Sequence, residues 1–169
     1  MSQFQIALSY VLSWEDPNGK FLPVPDVGGQ AVAGINSAKW PIDFDKVMSV
    51  SAENRPQLVY DFYQKNFWNP LKIGAIQHQD ISSRILDQAV NGGTHSPIRL
   101  LQRAVAACGK SLVEDGILGP VTIDTVNSLD QGDLLAAFRN QRLLFYKKIV
   151  DNNPEDAKYL KGWEKRALA

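Results

Sequence analysis

The chain has 169 residues, is 44% hydrophobic, and balances eighteen basic against eighteen acidic side chains to no net charge. That balance excludes the strongly basic surface of a nucleic-acid binder. No apolar run approaches the length of a membrane span, so stable membrane insertion is not expected either. A single cysteine, Cys108, rules out an internal disulfide and a thiolate metal cluster, and it reads as a small buried hydrophobe.

The opening MSQFQIALSYVLSWED lacks a basic leading segment and a small-residue cleavage site. The expectation is cytoplasmic synthesis without a recognisable signal peptide, with any action elsewhere requiring release or export. The same stretch predicts a first helix over 3–14. Phe4, Leu8, Val11 and Glu15 recur at spacings of 4, 3 and 4, which places all four on one face. Glu15 therefore points toward the core or a cleft. Two readings fit this placement. Burial and the partial negative charge of a helix C-terminus both favour a protonated carboxyl, the usual general acid of glycoside hydrolysis. Alternatively Glu15 caps the turn that begins at Asp16-Pro17-Asn18-Gly19.

Residues 16–37 carry little helical period and read as loops with room for a small hairpin. Asn18-Gly19 offers a tight-turn pair, and Gly28-Gly29 offers positive-φ freedom. Helical pattern returns after Trp40-Pro41. In NRPQLVYDFYQKNFW, Pro56 suits a first turn, with Leu58, Val59, Phe62 and Tyr63 on one side. A helix from about Asp80 to Val90 closes on Asn91-Gly92-Gly93, and Ser96 is the expected N-cap of the next. EDGILGP reads as paired turns before a short helix near 122–129. Asp133 is then expected to cap a long helix whose buried side is Leu134, Phe138, Phe145 and Ile149. Asn152-Asn153-Pro154 breaks it ahead of a last amphipathic piece. The chain shows no solenoid repeat, and its natural division lies near 91–96.

His78 and His95 have no companion ligands for a zinc site, and Asp43 with Asp45 lacks the spaced loop of a calcium site, so neither a metal nor another cofactor is expected. Ser13, Ser37 and Ser51 lack the context of a nucleophile. Asp26, within Pro25-Asp26-Val27-Gly28, is either a turn residue or a second functional carboxylate.

The order of these signals resembles the glycoside hydrolase family 108 lysozymes, phage and prophage N-acetylmuramidases of the secretion-activator type with a C-terminal peptidoglycan-binding region. The carriers in the first half are WEDPNGKFLPVPDVGGQAVAGIN, YDFYQKNFWNPL and DQAVNGG; in the second they are LLQRAVAACGKSLVEDGILGPVTIDTV and the closing GWEKR. Two departures stand out: Asp16-Pro17 follows Glu15 where the family has glycines, and Ala31 stands where a Thr is expected.

The resemblance implies a mainly α, lysozyme-like helical fold with a small β-hairpin or irregular loop insertion after the first helix. Residues 1–92 would form the catalytic region, and 93–169 a helical peptidoglycan-binding region packed against it. It implies cleavage of the β-1,4 bond between N-acetylmuramic acid and N-acetylglucosamine, with Glu15 as general acid and Asp26 as second carboxylate. Gly29, Tyr60, Tyr63, Trp68 and Asn91 would lie on the substrate side. Trp68 is expected at a cleft, and the aromatic rings either stack on sugars or pack in the core. The implied partner is the peptidoglycan glycan strand, met by a monomer at the cell wall or periplasm after release or holin-type export. Two rivals stay open: a binding protein of the same fold with a decayed catalytic loop, and a helical regulatory protein with no glycan role.

Overall fold

The computed structural model describes all of residues 1–169. Eight α-helices enclose one core, with a small antiparallel sheet inserted after the first: α1 (Phe4–Glu15), β1 (Val24–Asp26), β2 (Gly29–Val32), β3 (Ile35–Asn36), α2 (Pro41–Met48), α3 (Arg55–Tyr63), α4 (Gln79–Gly92), α5 (Ser96–Ala107), α6 (Pro120–Ser128), α7 (Gln131–Asn152) and α8 (Ala157–Leu168). This is the mainly helical fold with a post-α1 insertion that the resemblance implies. None of the helices is long and apolar enough to cross a membrane.

The insertion is a three-stranded sheet in the order β1-β2-β3. Asp26 pairs with Gly29 and Val24 with Ala31 across the first turn; Ala31 pairs with Asn36 and Val32 with Ile35 across the second. The second turn is the dipeptide Ala33-Gly34, with φ of +46° and +80°. Positive φ at both centres is what a two-residue hairpin needs to match strand twist, and at Ala33 it carries steric strain.

The core-facing positions of α1 are Phe4, Ala7, Leu8 and Val11, as the spacing predicts. Helix α4 is the hub: it packs on α1, α5 and α7, and every residue from Ile81 to Ala89 is buried. A helix buried all round must satisfy its polar groups internally. Asp87 and Arg142 form a salt bridge in which neither side chain has any solvent exposure, and Arg142 Nε donates to Gln88 Oε1 at 3.0 Å.

Three details depart from the expectations. Ser96 does not cap α5; its hydroxyl donates to the carbonyls of Gly92 and Gly93, both at 3.1 Å, and so fastens the α4–α5 junction. Asp130, not Asp133, caps α7, accepting from Asp133 N at 3.0 Å, because Asp133 sits in the first turn where its own N–H lacks a helical partner. The buried stripe of α7 is Leu134, Phe138, Arg142 and Tyr146. A strict spacing of four carries it through a charged residue that apolar periodicity cannot pick out, and leaves Phe145 only half-buried.

The two halves are stitched by polar contacts as well as by the core. Asn127 of α6 accepts from Gln77 N at 2.9 Å and donates to Ala75 O at 3.2 Å. Replacing Asp87 by Ala should destabilise the whole chain by about 3–5 kcal/mol, since it leaves the fully buried Arg142 guanidinium without a carboxylate. Urea unfolding monitored by circular dichroism checks this; a midpoint equal to that of the unmodified chain would refute it.

Candidate functional site

The last turn of α1 sets the site. Asp16 leaves the helix with φ −146°, and its side chain accepts from Phe21 N at 2.8 Å while its carbonyl accepts from Gly19 N at 2.9 Å. Arg55 Nη1 pins the same loop through Phe21 O at 2.7 Å. The turn-stabilising role is therefore taken by Asp16. Glu15 continues the apolar stripe of α1 into an open cleft of about 550 Å³, lined also by Asp26, Val27, Gly34, Asn36, Ala38, Lys39, Val90, Asn91 and Arg166.

Of the two settings the spacing allows, core or cleft, Glu15 takes the cleft, and its surroundings are charged. Its carboxylate, one-fifth exposed, accepts from Arg166 Nη2 at 2.6 Å, and that guanidinium also touches Asp87 Oδ1 at 2.8 Å. Burial by itself would lower the Arg166 pKa, but the Asp87 and Glu15 carboxylates outweigh it and hold the group above its ordinary value. Arg166 is thus a permanent cation in the cleft wall. Gly34 lies against the other side of Glu15: a Cβ there would sit 3.0 Å from Glu15 Oε2 and 2.5 Å from Tyr63 Oη. The hairpin can approach the acid this closely because Gly34 has no side chain.

Asp26 ends β1 on the exposed rim of the cleft. Its Oδ1 accepts from Val27 N at 2.7 Å and its Oδ2 from Asn36 Nδ2 at 2.8 Å. Asn36 in turn donates to Val27 O at 3.0 Å and accepts from the N–H groups of Ala38 and Lys39 at 2.8 and 3.0 Å. This one amide fixes the Asp26 rotamer and the chain entering α2. Sequence reasoning marks neither Asn36 nor Arg166 as a site residue. A signal exists for Asn36, an Asn that closes the short apolar run ending at Ile35, a place where Asx turns form. Arg166 stands in the closing GWEKR that carries the resemblance, but nothing local joins it to Glu15, since the contact spans 151 residues.

Of the substrate-side expectations, Asn91 lines the cleft and donates to Tyr146 Oη at 2.8 Å. Four others lie outside the cleft lining. Gly29 is outside the cleft lining; it lies opposite Asp26, where any Cβ would collide with Ser37 Oγ. Tyr60 packs edge-on against Phe4, with ring centroids 4.7 Å apart. Trp68 is buried against Phe4 and Gly74, because the chain beyond α3 continues as a π-helical turn over Gln64–Trp68 that turns the indole inward. Tyr63 is fully buried, its hydroxyl donating to Ala33 O at 2.8 Å beneath Glu15. None of the ten cleft-lining residues is aromatic.

The family model for Glycosyl hydrolase 108 matches residues 8–93, and that for a predicted peptidoglycan domain matches residues 96–168. Among solved structures the chain is similar to SagA of Brucella abortus, at 23% identity and a TM-score of 0.62, over 98% of this chain and 93% of that one. That likeness shows a shared fold. No curated protein matches the chain.

Burial, then the nearby Glu15 and Asp87 carboxylates, push the Tyr63 phenol well above its ordinary value of 10.0. The unfolded chain ionises this phenol near that value and the folded chain does not. Folding stability should therefore fall as pH rises beyond 10 toward the folded pKa. In Tyr63→Phe this alkaline loss should shrink. At neutral pH the variant should cost about 1–2 kcal/mol, from the Ala33 carbonyl left without its donor. Denaturant midpoints at pH 7 and above 10 check both signs.

Proposed function

Because the chain belongs to the Glycosyl hydrolase 108 family, we propose that it is an N-acetylmuramidase, cleaving the β-1,4 bond between N-acetylmuramic acid and N-acetylglucosamine of peptidoglycan. The observation that carries this is the convergence of Glu15 from α1 and Asp26 from the hairpin on one open, polar cleft. Glu15 acts as general acid. Its proton passes to the glycosidic oxygen as the C–O bond breaks, and the departing sugar takes the bonding pair. Asp26, exposed and oriented by Asn36, is suited to steady positive charge at the anomeric carbon or to orient water. Asn91, near the end of α4 in the same cleft, offers an amide to the N-acetyl and hydroxyl groups of the glycan.

In this reading residues 1–92 supply both carboxylates and residues 93–169 a peptidoglycan-binding region; the two family matches, over 8–93 and 96–168, support the division. Action at the cell wall after release from the cytoplasm is part of the same reading.

One observation favours a second reading, a peptidoglycan-binding protein with weakened catalysis. Ala31 is buried in β2 between Val24 and Asn36, so no hydroxyl is present at a place where one would face the same side of the sheet as Asp26. Turbidity of a purified cell-wall suspension separates the two. The unmodified chain should clear it, Glu15→Gln should lose at least about 100-fold in rate, and Asp26→Asn should lose about tenfold or more. Both variants should still co-sediment with the walls. Equal clearing by Glu15→Gln would sink Glu15 as the acid; co-sedimentation without clearing by any form would select the binding protein.

A further inference from the structure

Arg166 is placed before it meets Glu15. Its Nε donates to Asp87 Oδ1 at 2.9 Å and its Nη2 lies 2.8 Å from the same oxygen, so Asp87 fixes the plane of the guanidinium. Asp87 is itself immobilised, since its other oxygen is engaged by the fully buried Arg142, which is held in turn by Gln88. From this frame Nη2 reaches Glu15 Oε1 at 2.6 Å, while Oε2 lies against Gly34 at the cleft floor. The two oxygens of Glu15 are therefore unequal. One is tied to a cation and the other faces Gly34.

We propose that Arg166 is a positioning residue for Glu15, and that helix α8 of the C-terminal half is thereby part of the machinery of hydrolysis as well as of binding. This rests on Glu15 being the acid. Oε2 holds the proton and gives it to the glycosidic oxygen as the C–O bond breaks, leaving Glu15 as a carboxylate. The charge that appears on Glu15 in this step forms against a guanidinium already in place, so little reorganisation accompanies it. The other ionisable groups near Glu15 are Asp87 on α4, Tyr63 on α3, and Asp26 with Lys39 around the hairpin. Among the lining residues only Arg166 and Lys39 are cationic, and Lys39 is exposed and outside the frame.

A fork and a point charge act differently here. In Arg166→Lys the ammonium should neutralise buried Asp87 but not span from Asp87 to Glu15. The full-length Lys variant should melt close to the unmodified protein, lose about 10- to 100-fold in kcat on purified peptidoglycan and keep its KM, since a misplaced acid slows the chemical step rather than binding. In its crystal structure Glu15 should swing away from Gly34. Arg166→Gln should show the same displacement with a larger loss of kcat; if that variant does not fold, the Lys variant carries the test. Full kcat in Arg166→Lys, a rate loss explained by an equal loss of folded protein, or Glu15 unmoved in the variant structure would each overturn the proposal. An active Glu15→Gln would overturn the acid assignment instead. The crystal structure decides the positioning role even if no hydrolysis is seen.

Discussion

A carboxylate with no solvent exposure, Asp87, sits at the centre of the most buried helix and dictates much of what surrounds it. Taking such a charge out of water costs several kcal/mol, which only well-placed partners offset. Its two partners, Arg142 and Arg166, come from α7 and α8, on the far side of the boundary between the two family segments. The N-terminal half therefore contains a buried acid it cannot neutralise alone, and the C-terminal half carries guanidinium groups that need it. Arg84 of α4 and Arg139 of α7 repeat the theme, both donating to the main-chain oxygen of Ala169. The halves are distinct in sequence and joined in electrostatics.

The same network explains why Glu15 has its setting. An acid at the end of an apolar helix stripe could have met a greasy wall; here it meets the outer end of a buried ion-pair chain. The cleft is correspondingly polar: no aromatic residue is among its lining side chains, and Asn36, Asn91 and the carboxylates supply its hydrogen-bonding groups. The aromatic cluster of Trp40, Phe62, Tyr63 and Phe67 lies in edge-to-face and tilted contacts within the core under the hairpin. It supports the floor of the site from below.

Local physics made much of this legible. Spacing placed Phe4, Leu8, Val11 and Glu15 on one face, and glycine and proline punctuation marked the starts and stops of most helices. Boundaries failed where a side chain had two local options, as with Ser96 bonding backward to Gly92 and Asp130 capping ahead of Asp133. Trp68 failed for another reason: a π-helical turn adds a residue to the helical repeat and rotates every side chain beyond it, and no side-chain pattern announces it. The expected stripe of Leu134, Phe138, Phe145 and Ile149 passes over Arg142, because apolar spacing does not count a charged residue. Only long-range pairing with Asp87 makes it a core residue.

The separation between Glu15 and Arg166 also bears on when the site comes into being. Arg166 leaves the ribosome 151 residues after the Glu15 it meets. Contacts so distant in sequence form late in folding, after the loop-closure entropy between them has been overcome. During synthesis α1 and the hairpin can assemble while the cleft still lacks one wall. A nascent chain would thus display α1 and the hairpin before α8 completes the cleft around Glu15.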